Sequence, residues 1–102
     1  MLDQLKYELY KNAKDTKFTV LGFDEPYEIE LSEVSENKER NGYEMFSLFF
    51  TSPKDYFLPQ QIYRLAHTEL GEGEIFIVPI EESENGYLYQ SVFNRLIENK
   101  TE

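Results

Sequence analysis

The chain opens on an amphipathic pattern. Leu2, Leu5 and Leu9 recur at spacings of three and four, and Ala13 extends the same face. That period belongs to an α-helix, so a short helix is expected over residues 1–14. A helix of this length is marginal alone and needs a surface to lie on.

From residue 17 the period changes to two. Residues 17–23 alternate Phe18 and Val20 with Thr19 and Leu21, and Asp24-Glu25-Pro26 turns the chain. Residues 27–32 read apolar then polar without a break, which predicts a strand with one wet face. Val34 breaks the phase, so a bulge or the strand's end is expected there.

Residues 35–40 contain no apolar side chain and are expected to form a solvated loop. Asn41-Gly42 is a strong hairpin signal, because both residues accept positive φ. Residues 43–51 then carry Met45 and Phe49 on one face and Phe46, Leu48 and Phe50 on the other. Both faces of such a strand need cover, and the N-terminal helix is expected to supply the second.

Residues 52–59 form a loop bounded by Pro53 and Pro59 that holds two aromatics, Tyr56 and Phe57. A strand over 62–68 follows, with Tyr63, Leu65 and His67 on one face. Leu70 to Gly73 turns into a strand over 74–81, in which Pro79 marks an edge or a terminus. Glu84-Asn85-Gly86 is a second hairpin turn before a last strand over 87–93, and a polar tail over 98–102 is expected to fray. The fold class is mainly β. A single domain is expected, with an antiparallel meander over 17–94 forming a six-stranded barrel or compact sandwich and the helix packed on it.

Composition adds three constraints. Eight Tyr and eight Phe in 102 residues supply a packed core, which a disordered acidic chain lacks. Twenty acidic residues face ten Lys and Arg, a net charge of −10. No cationic footprint for phosphate backbones or anionic lipid is visible, so no nucleic-acid or membrane partner is expected. Cysteine is absent, which excludes a disulfide framework or a thiol nucleophile. The N-terminal residues lack the basic region and apolar run of a signal peptide, and a cytoplasmic location is expected.

Candidate chemistry is sparse. His67 is the only histidine, and catalysis through it would need a serine or a carboxylate in reach. The glutamates cluster at strand ends without a calcium-loop pattern, and no phosphate-binding glycine loop is present. No cofactor, metal site or catalytic residue is therefore assigned. The polar candidates are Gln60, Tyr63 and His67, as a network at one barrel end. The candidate contact surface comprises Tyr43, Met45, Phe49, Tyr56 and Phe57.

The second half carries a longer pattern. FSLFF contributes Phe46, Ser47, Leu48 and Phe50. LPQQIYRLAHTELG contributes Leu58, Pro59, Gln60, Tyr63, Leu65, His67, Leu70 and Gly71. Val78-Pro79 and then Tyr89, Phe93 and Asn94 complete it. This resembles an uncharacterised family of small bacterial β-rich domains with the pattern FSLxF…LPQxxYxLxHxxLG…VP…FN. Thr68 departs from it, since a proline often follows the histidine there. Members are seen alongside phage-tail-collar-like proteins, and the resemblance implies a role in assembly or attachment with no established activity.

The expected function is a non-enzymatic protein-interaction or assembly module whose partner is another protein. Two other readings stand beside it. One is a small-molecule or carbohydrate-binding barrel, or a minor hydrolase using His67. The other is an acidic nucleic-acid mimic that blocks a basic protein, although the interspersed Lys and Arg break the anionic row it would need.

Overall fold

A computed structural model describes residues 2–97. The expected tail over 98–102 lies outside the described residues. Seven strands form: β1 (Lys17–Val20), β2 (Tyr27–Val34), β3 (Lys38–Arg40), β4 (Tyr43–Pro53), β5 (Gln61–His67), β6 (Gly71–Ser83) and β7 (Gly86–Leu96). Six of them close an antiparallel barrel in the order β1-β5-β6-β7-β4-β2, with β2 returning to β1. The expected barrel is present, but its meander is interrupted once. β1-β2-β4 and β5-β6-β7 are each sequential, and they join through β4–β7 and β1–β5 rather than through β4–β5.

The interior is filled by the positions that the two-residue period marked. Phe18, Val20, Ile29, Leu31, Phe46, Leu48, Phe50, Tyr63, Leu65, Ile75, Ile77 and Tyr89 are each at most 4% exposed. Burying side chains of this size contributes about 1.5–3 kcal/mol apiece before the entropy cost. Between Leu31 and Glu33 the register slips against β4, which returns Val34 to the inside at the end of β2.

The segment expected as a loop over 35–40 ends as a strand. Lys38, Glu39 and Arg40 pair with Met45, Glu44 and Tyr43 across the Asn41-Gly42 turn, whose φ values are 53° and 82°. β3 has no apolar face. The hairpin turn and the length of β4 beside it supply its ladder.

Pro79 sits within β6 rather than at its end. It lies beyond the last β5 pair, Gln61–Ile77, where β6 has only β7 beside it, and the register shifts between Pro79 and Glu81. It is thus on a local edge next to a bulge, where a missing N–H costs least.

The N-terminal helix departs most from expectation. It is split into a 3₁₀ turn, Leu2–Gln4, and a short helix α1 (Tyr7–Asn12). Leu9 is 42% exposed, whereas Tyr10 is fully buried. α1 does not cover the outer face of β4; it closes one barrel end. The Tyr7 and Tyr10 rings lie 5.0 and 5.6 Å from inward-facing Phe46, and Tyr10 lies 5.2 Å from Phe93. The Tyr10 hydroxyl donates to the Leu2 carbonyl at 2.6 Å, tying the two helical pieces together. Burial raises the Tyr10 phenol above its ordinary pKa and keeps it a donor. A Cβ on Gly73 would meet Asp3 and Leu2 at 2.8 Å, so β6 needs glycine where the 3₁₀ turn crosses it.

Candidate functional site

The outer face of β4 and β7 departs from the rest of the surface. The two strands pair over their whole length, from Tyr43–Leu96 to Pro53–Gly86. Alternation turns Tyr43, Met45, Ser47, Phe49 and Thr51 of β4 outward, together with Leu88, Gln90, Val92, Asn94 and Leu96 of β7. None of these is charged, in a chain where 29% of residues are. Tyr43, Met45, Val92 and Leu96 are 49, 48, 57 and 62% exposed. The face continues through Val78, opposite Gln90, to the exposed cross-strand pair Phe76–Ile62 on β6 and β5. Its polar members partly satisfy one another, as Gln90 donates to Ser47 Oγ at 3.0 Å.

Of the five contact candidates from the sequence, the structure brings Tyr43, Met45 and Phe49 into line on this face. Tyr56 and Phe57 lie at the far end of β4. Phe57 is exposed, 5.1 Å from Tyr87. Tyr56 is half-buried and stacks on Tyr27 at 4.4 Å, which in turn stacks on Phe23 at 4.8 Å. The side chain that fills the barrel end from this loop is Leu58, which is fully buried. Tyr89 holds the loop there: its hydroxyl accepts from the Leu58 N–H at 3.0 Å and donates to the Tyr56 carbonyl at 3.2 Å. Val92, Leu96, Phe76 and Ile62 were missed in the sequence, because each is a lone outward apolar residue whose neighbours come from other strands, and Leu96 lies beyond the strand end expected at 93.

The polar candidates do not meet. Tyr63 and His67 share the inward face of β5 but stand about 13 Å apart along it. Tyr63 donates to the Pro59 carbonyl at one barrel end. Burial raises its phenol above the ordinary value, with smaller contributions from Tyr89 and Tyr27. Gln60 is exposed in the loop before β5. His67 closes the other end, 8% exposed, with its ring 4.6 Å from Phe18.

The hydrogen bonds fix the His67 tautomer. Nδ1 accepts from the Glu69 and Leu70 N–H groups at 3.1 and 3.2 Å, so it carries no proton. The proton sits on Nε2, which donates to Thr16 Oγ1 at 2.9 Å; Thr16 in turn donates to the Ala13 carbonyl. The imidazole therefore staples the β5–β6 turn to the segment joining α1 and β1. Both nitrogens are committed to backbone or threonine partners. Substituting His67→Leu is expected to cost about 2–3 kcal/mol by leaving two N–H groups without an acceptor. His67→Asn keeps a carbonyl in reach of them, as in an Asx turn, and is expected to lose about half as much. Urea denaturation of the two variants measures the difference.

Around α1 lies the most extensive ionic contact. Arg95 Nε donates to Glu44 Oε2 at 2.7 Å across the β4–β7 ladder, and Nη2 donates to the Leu5 carbonyl. Its guanidinium also lies 5.2–5.9 Å from the Phe46, Phe93 and Tyr10 ring centres. Burial alone would raise the Glu44 carboxyl. Hydrogen bonds from Arg95 and Asn37, with the Arg95 charge, outweigh that and hold it below the ordinary value. This cluster joins helix to barrel.

Among the described residues no group of three or more His, Cys, Asp or Glu lies together so as to hold a metal ion. No described helix is long and apolar enough to cross a membrane.

Comparison with the curated proteins and with the solved structures returned no match. A family model does match, over residues 5–93, from α1 to the inward-facing Phe93 of β7. That span covers five of the six barrel strands in full and β7 as far as Phe93, and the chain accordingly belongs to the DUF6916 family, a domain of unknown function.

Proposed function

We propose that this protein is a non-enzymatic interaction module that docks another protein through the outer face of β4 and β7. The observation that carries this reading is the uncharged row from Tyr43 and Leu96 to the half-buried Phe49, in which Tyr43, Met45, Val92 and Leu96 are exposed on a strongly acidic domain. A contiguous apolar patch on a soluble domain marks a contact surface more often than chance. A second copy is a poor occupant, because each carries a net charge of −10 and repels the other. A heterologous partner with an apolar surface fits better. The barrel supplies a rigid platform, and its filled interior leaves recognition to the outside. The sequence resemblance to companions of phage-tail-collar-like proteins supports a place in such an assembly, built in the cytoplasm.

The test is a paired capture from host lysate. Met45→Lys with Val92→Lys places two charges on the face without touching the core. Wild type is expected to retain a stoichiometric partner, and the double variant to lose it at unchanged melting temperature. Retention by the variant, or a wild-type monomer by light scattering with no partner, would overturn the proposal.

A further inference from the structure

The barrel is incomplete along one seam, and a proline explains why. β2 and β4 pair upward as far as Glu30–Thr51. In that register Ile29 would lie opposite Ser52, and the next hydrogen-bonded pair would join Glu28 to Pro53. Pro53 has no N–H, and its carbonyl already accepts from the Tyr56 N–H at 3.1 Å. Beyond this point β2 continues on β1 alone and β4 on β7 alone. The direction of the free backbone follows from alternation. Leu31 exchanges hydrogen bonds with Thr16 and Asp15 on the β1 side, so Ile29 also faces β1, while Glu28 turns its N–H and C=O into the gap.

The gap is a cleft of about 760 Å³, within the range of ligand sites. Glu28, Glu30, Thr51, Tyr56 and Asn85 line it, with Lys17 as the cation among the lining residues. Asp24 and Glu25 precede β2, and Asp55 adjoins Tyr56. The Tyr56 ring is held in place by its stack on Tyr27.

From these features we infer that the cleft takes an extended, basic segment of a partner polypeptide. The segment's backbone pairs with Glu28 where Pro53 cannot, in the manner of strand addition. A basic side chain reaches the Glu28 and Glu30 carboxylates and lies on the Tyr56 ring, combining ion pairing with cation–π attraction. The net charge of the domain steers such a segment inward. This cleft meets the uncharged face of β4 and β7 only at Thr51, and neither Glu28 nor Glu30 lies on that face, so each proposal stands or falls alone.

A short fluorescent peptide of alternating arginine and valine is the probe, read by anisotropy at physiological salt. The double variant Glu28→Gln, Glu30→Gln is expected to weaken binding about tenfold. Glu69→Gln with Glu74→Gln removes the same charge from an exposed region elsewhere and is expected to change it less than about twofold. Met45→Lys with Val92→Lys is expected to leave it unchanged. Amide exchange at Glu28 is expected to slow when peptide is bound. Absence of binding, equal loss in both glutamine pairs, or an unprotected Glu28 amide would overturn the inference.

Discussion

Replacing Gly86 with alanine is expected to destabilise the domain by at least about 3 kcal/mol, because the new methyl group would land on backbone. Gly86 lies at the start of β7, opposite Pro53, with φ of 154°. A Cβ there would overlap the Ser52 carbonyl oxygen and lie 3.1 Å from its carbon. Neither side can yield cheaply. Ser52 is buried and bonded through Oγ to Tyr56 and Tyr89, the same contacts that hold Leu58 in the barrel end. Gly42→Ala is the control. Its Cβ would meet nothing within 4 Å, and only its φ of 82° opposes the change, so about 1 kcal/mol is expected. Urea denaturation should separate the two variants clearly. Equal losses would show that backbone conformation, not the close approach to β4, makes Gly86 necessary.

The second large effect is expected at Arg95. Arg95→Met keeps a long apolar stem against Phe46 and Phe93 but removes the charge. It strands the half-buried Glu44 carboxylate and the Leu5 carbonyl, a loss of about 2–4 kcal/mol at neutral pH. For a domain of this size that lowers the melting temperature by roughly 10–20 °C. The pH dependence supplies a sharper readout. The folded pKa of Glu44 lies below its ordinary value of 4.5, so its contribution is fully present above that value. It is lost as pH falls through the lower, folded value, where the carboxylate takes up a proton in both states. The stability gap between wild type and Arg95→Met is therefore expected to be constant above about pH 5.5 and to narrow below pH 4.5. A gap that stays constant into acid would show that Arg95 acts through its contacts with Leu5 and the rings alone. Loss of helical signal at 222 nm (the usual helix band) ahead of the barrel transition would place the damage at α1.

Much of the barrel was legible because a strand's dry face is written locally. Phe18, Val20, Ile29 and Leu31 recur at every second position, Phe46, Leu48 and Phe50 keep the same period in a strand apolar on both faces, and each ended inside. Asn41-Gly42 announced its hairpin for an equally local reason, the positive φ that both residues adopt. The helical stripe misled, since leucine spacing speaks only of periodicity. Tyr10 displaced Leu9 because a ring with a hydroxyl could both fill the space beside Phe46 and cap the Leu2 carbonyl. Nothing apolar marks Lys38 to Arg40, and only the overhang of β4 makes them a strand.

The sequence by itself determined an acidic, mainly β chain, the inward faces of β1, β2 and β5, the Asn41-Gly42 turn and the family. Tertiary structure alone decided the strand order, because pairing β4 with β7 rather than β5 depends on contacts far apart in the chain. That pairing also lays Met45 and Tyr43 beside Val92 and Leu96 as one uncharged face. It decided the cleft as well: Pro53 opens a seam only because the register sets it opposite Glu28, and register is a relation between strands that neither strand carries alone.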